Sequence, residues 1–274
     1  MFILEYIHRF LMAPIVCIVS VRRSRGKTRL IEYLVKELKR RGMKVATIKH
    51  TSEPFDTKGK DTWRHTEAGA LEVACITPRE LITIRKGDAS LEDGVQALHV
   101  ESDIILAEGF KRSDKPKILC ADSVEEVEEA LRSISNIVAV SGSIVDAADQ
   151  VEVLRKKHHD VNLMTPEEVV EFLRSLIVKD LLKRLPGLDC GHCKYGSCAG
   201  MAEALMEGRA SLDECIVIST SISKVFIDGR MIPLSRWPQT ILKEIMLGFL
   251  RSLKLKDVKL EDASKVTIEI RMKD

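Results

Sequence analysis

The sequence predicts an α/β fold class with a mainly parallel sheet, and three observations carry that expectation. The run Ile15-Val16-Cys17-Ile18-Val19 has the length and the β-branched content of a strand buried on both faces. A segment follows whose Leu30, Ile31, Leu34, Val35 and Leu38 share one helical face and which ends at Gly42. Lys44–His50 (KVATIKH) then reads as a second buried strand. Strand, helix and strand in that order form a βαβ unit, whose strands lie parallel.

The loop between the first strand and its helix is the chemically informative part of this unit. It runs Val21-Arg22-Arg23-Ser24-Arg25-Gly26-Lys27-Thr28-Arg29. A loop ending in Gly-Lys-Thr between a strand and a helix is the arrangement of a phosphate-binding P-loop. Backbone N–H groups and the helix N-terminus face the phosphates, the lysine reaches the outer phosphates, and the threonine hydroxyl binds magnesium. Residues 22–29 are therefore the candidate nucleotide-binding set, with Thr28 the magnesium ligand. The full pattern asks for glycine five residues before Gly26, where this chain has Val21. A β-branched residue there requires a modified turn, and Arg22, Arg23 and Arg25 add positive charge that offsets poorer backbone geometry. The plainer reading is a solvated basic turn.

Later segments extend the pattern. Lys49 and His50 end the second strand at the edge where open α/β sheets place ligands. Residues 51–70 are dense in both charges, and their position after that strand tip suggests a ligand-facing loop. The motifs Ile48-Lys49-His50, Phe55-Asp56, Gly59-Lys60-Asp61-Thr62-Trp63-Arg64-His65 and Ala68-Gly69-Ala70 resemble molybdopterin-guanine dinucleotide biosynthesis protein B (MobB). The likeness covers a little over half the chain and continues in Glu108-Gly109-Phe110-Lys111 and Lys115-Pro116-Lys117. It implies a P-loop domain that binds GTP with magnesium and assists the partner enzyme joining GMP to molybdopterin. Lys49, His50, Asp61, Arg64, Glu108 and Lys111 are then the candidates for an adjoining pocket that also suits a phosphate-bearing pterin. The resemblance also suggests a homodimer.

Two short β-rich runs at 72–76 and 80–85 come next, and Ser90 with Asp93 marks a capped short helix. Residues 103–111 read as a buried strand with acids at both ends. Asp103 suits a solvent-facing strand start, whereas Glu108, at the C-terminal end, suits metal or substrate. A strand at 117–121, a helix from Ser123 to Ile134 and a last strand at 136–140 complete the domain. Its exit, Val140-Ser141-Gly142-Ser143, lacks the acid that MobB-like proteins often carry there for the base. Residues 146–164 read as a connection, with Lys156-Lys157-His158-His159 a solvated face. A long helix begins at Thr165-Pro166-Glu167-Glu168, which combines an N-cap, proline at the first helical position and a capping-box glutamate.

Seven cysteines are present, and four of them, Cys190, Cys193, Cys198 and Cys215, follow a C-x2-C-x4-C-x16-C spacing. Thiolates at this density point to a soft metal or a cluster; Cys17, Cys75 and Cys120 read as small buried hydrophobes. With Leu185-Pro186-Gly187, Cys190-Gly191, Tyr195 and 202–204, the segment resembles the small four-cysteine 4Fe–4S domain of electron-transfer and corrinoid-linked proteins. Lys194 stands where that family usually has glycine. Structural zinc is the competing occupant, and His192 reads as a bystander. The remainder suggests a small α+β unit: a hairpin at 224–234 turning on Asp228-Gly229, an amphipathic helix at 237–253, and a closing strand through Val266, Ile268 and Ile270.

Composition narrows the partners. A net charge of +2 gives no case for nucleic acid or a membrane surface, and 4% aromatics argues against a base-stacking platform. No apolar run is long enough to span a membrane. The first residues, with Glu5, His8 and Arg9, do not read as a signal peptide, and Met12 is an alternative start. Clustered cysteines without a secretion signal favour the cytoplasm and metal over disulfides.

The expected organisation is a P-loop domain over 1–160, a helix and 4Fe–4S module over 161–215, and a small α+β unit over 216–274. The function expected is that of a GTP-binding accessory protein for guanylylation of the molybdenum (or tungsten) cofactor. Its partners would be molybdopterin or its guanylyltransferase, and molybdoenzymes. It would be at most a slow GTPase, since no water-positioning base or arginine finger is identifiable. The alternatives are an iron–sulfur redox or scaffold protein with a degenerate P-loop, and an adaptor in which both modules are structural.

Overall fold

The computed structural model describes residues 13–53, 56, 58–98, 101–227, 230–232, 234, 236–253, 263, 265–268 and 270. Phe55, the turn at Asp228-Gly229 and the alternative start at Met12 lie outside these. The described residues up to Asp180, with Met206–Gly208, belong to one compact unit, and the others from Leu181 onward to a second.

The first unit begins with β1 (Ile15–Val19), whose last four residues are completely buried. α1 (Lys27–Arg40) follows and buries Leu30, Ile31, Leu34 and Leu38 against the sheet. Each such side chain contributes about 1.5–3 kcal/mol, so the helix is held by its stripe more than by its propensity. The helix starts at Gly26, which has φ of +74°, a conformation that glycine adopts at no steric cost. β2 (Val45–Lys49), α2 (Asp61–Glu67), an antiparallel ribbon of β3 (Glu72–Ile76) and β4 (Leu81–Arg85), and α3 (Leu91–Gln96) come next. The capping box at Ser90 and Asp93 forms as the sequence suggests.

β5 (Ile104–Glu108), β6 (Lys117–Cys120), α4 (Val124–Ser133) and β7 (Ile137–Ser141) complete a five-stranded parallel sheet in the order β2-β5-β1-β6-β7. Cys17, Val19, Ile105, Ala107 and Leu119 share one core with Val124, Val127 and Ala130 of α4. Alternate residues Val16, Ile18, Leu106 and Ile118 are buried on the opposite face. The sheet therefore has both faces covered, as a parallel sheet requires. Lys117 is also fully buried, and its ammonium donates to the carbonyls of Ser113 (2.6 Å) and Lys115 (3.0 Å).

Three local expectations change. β2 reads as a buried strand, but β5 inserts between it and β1, leaving β2 at the edge with Thr47 and Lys49 exposed. In the stretch read as a loop at 51–70, the seven residues Asp61–Glu67 form α2. The connection expected at 146–164 follows a short 3₁₀ turn (Ser143–Asp146) and contains α5 (Ala148–Lys157), which buries Leu154 in the core. It also carries Leu163, bridged to Val140 of β7. A single deeply buried residue in a charged helix leaves no periodic signal.

α6 (Pro166–Arg184) starts as its sequence dictates. The Glu168 N–H donates to Thr165 Oγ1 at 3.2 Å, and the Thr165 N–H donates to Glu168 Oε2 at 2.8 Å. Val169, Val170, Leu173 and Ile177 are buried. Tyr33 of α1 donates to Glu167 at 2.8 Å, and Arg41 bridges Glu37 and Glu171. Arg40 and Arg41 hold the Glu37 carboxyl at about 2. That contribution is present above the ordinary carboxylate range and is lost as the pH falls towards 2.

The second unit contains α7 (Cys198–Met206, apart from its last residue), a 3₁₀ turn (Leu212–Glu214), α8 (Ile216–Ser219), the antiparallel pair β8 (Val225–Ile227) and β9 (Arg230–Ile232), and α9 (Arg236–Ser252). The buried Gln239 of α9 accepts from the Ile222 N–H at 3.0 Å and donates to the Leu234 carbonyl at 2.7 Å. The closing strand expected through Val266, Ile268 and Ile270 is not formed among the described residues. No helix among the described residues is long and apolar enough to cross a membrane.

This packing is open to two tests. Leu173→Ala leaves a cavity under α6 and should cost about 2–5 kcal/mol, read as a lower urea midpoint; an unchanged midpoint would show that α6 does not belong to this core. Burial pushes the Cys120 thiol up to about 12 and raises that of Cys17. The thiolate is the reactive form, so neither residue should be alkylated by iodoacetamide at pH 8 in the folded protein. Both should react once it is unfolded, as peptide mass mapping would show.

Candidate functional site

The strand order creates the site. From β1 the chain reaches β2 on one side of the sheet, and from β5 it crosses to β6 on the other. Open α/β sheets bind ligands where the order reverses, outside the C-terminal strand ends. There the register sets Glu108 beside Ile18 of β1 and beside Lys49 of β2. Glu108 consequently sits one strand from the loop that starts at Ser20.

The loop is built by local strain and by charge. Ser24 and Gly26 both have positive φ, 58° and 74°; a non-glycine residue in this region is uncommon and concentrates at functional sites. Ser20, almost fully buried, donates to the Arg22 carbonyl at 2.6 Å and accepts from Lys27 Nζ at 2.8 Å. Lys111 Nζ donates to the Val21 carbonyl at 3.0 Å, tying down the residue that replaces the expected glycine. The Thr28 hydroxyl donates to Glu108 Oε1 at 3.1 Å, and Lys49 Nζ lies 3.5 Å from Glu108 Oε2. A hydroxyl at a helix start and a carboxylate at a strand end, flanked by ammonium groups, suit magnesium and phosphate.

The remaining candidates divide. His50 is exposed, and its ring meets Phe110 edge-on at 5.3 Å. Arg23 and Arg29 are exposed beside the loop. Arg25 turns to Glu126 (2.8 Å) and Asp122 (3.0 Å), with Arg22 3.8 Å from Glu126. Asp61 and Arg64 lie on the exposed side of α2 and face each other across 3.9 Å, a contact worth about 0.5 kcal/mol. Asp103, at the opposite strand end, accepts from the Lys44 N–H at 2.6 Å.

Ser20, Asp122 and Glu126 are the residues that sequence reasoning missed. Glu126 also accepts from the Asp122 N–H at 3.1 Å, and Asp122 accepts from Ser143 at 2.7 Å. These bonds link the phosphate-type loop to the exit of β7. Gly142, at that exit, has φ of 108°, and a Cβ there would meet the Ala121 carbonyl at 2.6 Å. An acid at the start of a helix, such as Glu126, reads only as a capping residue in sequence.

In the second unit, Cys190, Cys193, Cys198 and Cys215 line one cavity of about 20 Å³. Its other walls include Leu185, Pro186, Leu188, Met201, Ile216 and Val217, with no carboxylate or imidazole. Four thiols in an apolar setting fit an iron–sulfur cluster. Among the described residues no three potential ligands are gathered closely enough to share one metal ion. The Cys198 N–H, at the start of α7, donates to Asp189 at 2.7 Å, and Ser197 Oγ accepts from the Gly200 N–H at 3.0 Å. Lys194 Nζ lies 2.8 Å from Glu214. Lys194, the Ser211 N–H and Tyr195 together hold the Glu214 carboxyl below its ordinary range.

Comparison with known proteins adds two separate matches. The family model described as "Molybdopterin guanine dinucleotide synthesis protein B" matches residues 15–143, and the one described as "Putative Fe-S cluster" matches residues 185–217. The molybdopterin-guanine dinucleotide biosynthesis adapter protein of Haemophilus influenzae is 37% identical over 99 residues, 34% of this chain and 56% of that protein. The "Probable molybdopterin-guanine dinucleotide biosynthesis adapter protein" of Bacillus subtilis is 33% identical over 154 residues, 53% of this chain and 79% of that protein. A component of the ion-translocating oxidoreductase complex of Rhodobacter capsulatus is 46% identical over 39 residues, 14% of this chain and 21% of that protein.

The carboxylate anchor of the loop is testable by itself. Glu126→Ala removes the partner of Arg25 and should cost about 1–3 kcal/mol. It should also speed trypsin cleavage after Arg22, Arg23 or Arg25. A loop as resistant as in the parent would show that Glu126 does not hold it.

Proposed function

This chain belongs to the molybdopterin-guanine dinucleotide synthesis protein B family, and on that premise we propose that it is a GTP-binding accessory protein in molybdenum (or tungsten) cofactor biosynthesis. In this reading it assists the guanylyltransferase that forms molybdopterin guanine dinucleotide. The observation that carries the proposal is the pairing of Lys27 with Ser20 and of Thr28 with Glu108 at the switch point of the sheet.

Lys27 exchanges its contact with the uncharged Ser20 hydroxyl for bonds to the anionic β- and γ-phosphates, where both partners are ionised. Backbone N–H groups from Ser24 to Gly26 and the start of α1 complete the phosphate cradle. Thr28 and Glu108 would hold magnesium, which neutralises phosphate charge. Lys49, His50 and Lys111 border the same edge, where the phosphate of a pterin would be recognised. Arg25, turned to Glu126 and Asp122, supports the loop from behind rather than meeting phosphate. No water-positioning group is assigned, so the protein is at most a slow GTPase.

We assign the four-cysteine cavity a 4Fe–4S cluster in preference to zinc, held by Cys190, Cys193, Cys198 and Cys215; such a cluster supplies one-electron redox chemistry. Docking to molybdoenzymes, a homodimeric state and a cytoplasmic setting complete the proposal. The rival, an iron–sulfur scaffold with a decayed loop, is disfavoured by the contacts of Lys27 and Thr28.

Titration calorimetry of anaerobically purified protein with GTP and then ATP, magnesium present, tests this. Binding of GTP with a Kd on the order of 1 μM (about −8 kcal/mol) is expected, with weaker ATP binding and none by Lys27→Ala. No heat with either nucleotide would reduce the loop to a relic and favour the rival.

A further inference from the structure

Cys190, Cys193 and Cys198 lie close together in the chain, whereas Cys215 follows after sixteen intervening residues. Chain entropy opposes its return to the other three. α7 and a turn bring it back, and the turn is fixed by the reciprocal capping box of Ser211 and Glu214. Glu214 directly precedes Cys215. Its carboxylate also reaches the two residues that directly follow Cys193. Lys194 Nζ lies 2.8 Å from Glu214 Oε2, and the Tyr195 hydroxyl lies 3.1 Å from the same oxygen. Tyr195 has one proton, shared between Glu214 and the Arg209 carbonyl, also at 3.1 Å. The Ser211 N–H occupies the second carboxylate oxygen at 3.1 Å. Three donors thus converge on one carboxylate between the immediate neighbours of two thiols.

We infer that Lys194, Tyr195 and Glu214 form a latch that holds Cys215 against the Cys190–Cys198 loop, making them positioning residues for the metal centre. The inference rests on the cluster assignment above. As an ornament of the surface, a pair with a lysine 68% exposed would matter little. Here its effect is local. Releasing it lowers the effective concentration of the fourth thiol at the cavity, and leaves the helices and their apolar contacts untouched.

The test uses the full chain, purified anaerobically, with iron, zinc and acid-labile sulfide measured first. The parent, Lys194→Gly, Glu214→Gln and the double variant are then exposed to a ferrous chelator, and the decay of the visible thiolate-to-iron absorption is followed. Each single variant should lose the chromophore about fivefold faster at an unchanged Tm. The double variant should be no faster than Glu214→Gln, because both changes break one contact. Should Glu214→Gln fail to fold, Lys194→Gly and Tyr195→Phe, which remove two separate donors to that carboxylate, should each speed the loss at an unchanged Tm. Parent-like decay in the single variants would overturn the latch, as would multiplicative effects in the double variant. A faster decay accompanied by a lowered Tm would also overturn it, since the residues would then serve only general stability. A parent without iron and sulfide would overturn the cluster assignment itself, and the latch with it, a result distinct from all of these.

Discussion

The crevice exists because β1 is gripped on both sides by parallel strands, which the chain reaches in succession and places on opposite flanks of it. β5 pairs with it through Ile15 to Ile18, and β6 through Cys17 to Val19. With no exposed edge, β1 can be apolar throughout, and its backbone has no freedom to fray. The chain must leave it at Ser20, between the ends of two neighbours, in the one direction open to it. The positions of Lys27, Thr28 and Glu108 all descend from that ladder. A shift of one residue between β1 and β5 would turn Glu108 to the other face of the sheet.

Charge then does two different jobs around the crevice. Exposed pairs such as Asp61 with Arg64 are screened and weak. The pair of Arg25 with Glu126 is different, because Glu126 is almost completely buried and also bonds the Asp122 backbone. A buried carboxylate without its partner is costly, so this contact shapes the loop where glycine is missing. Lys111, bonded to the Val21 carbonyl, does the same from the other side. A loop that cannot relax into the ordinary glycine turn is instead pinned by one ion pair and one lysine-to-carbonyl hydrogen bond.

What could be read in the sequence was local. β1, α1 and β5 are legible because each is a continuous or periodic apolar pattern, and the caps at Ser90, Ser123 and Thr165 are legible because their bonds span three residues. The four cysteines announce themselves by spacing, and their shared cavity adds the surrounding apolar wall. The insertion of β5 between β1 and β2 has no local signature, and so β2 reads as if it had the burial of a central strand. α5 escapes notice because only Leu154 among its residues is deeply buried. The anchoring of Arg25 is invisible because its partner lies 101 residues away. Arginines counted only as phosphate donors thus acquire a structural role that no motif records.

The close approach at the exit of β7 has a consequence for how this gene can vary. A Cβ at residue 142 would stand 2.6 Å from the Ala121 carbonyl oxygen, and φ is positive as well. Every amino acid other than glycine carries that carbon. No codon change that alters the residue is therefore sterically silent, however conservative the replacement looks by polarity or size. The sequence on either side can drift while the position itself has no permitted neighbour. Variation in the rim of the crevice must accordingly come from Ser141, Ser143 and beyond.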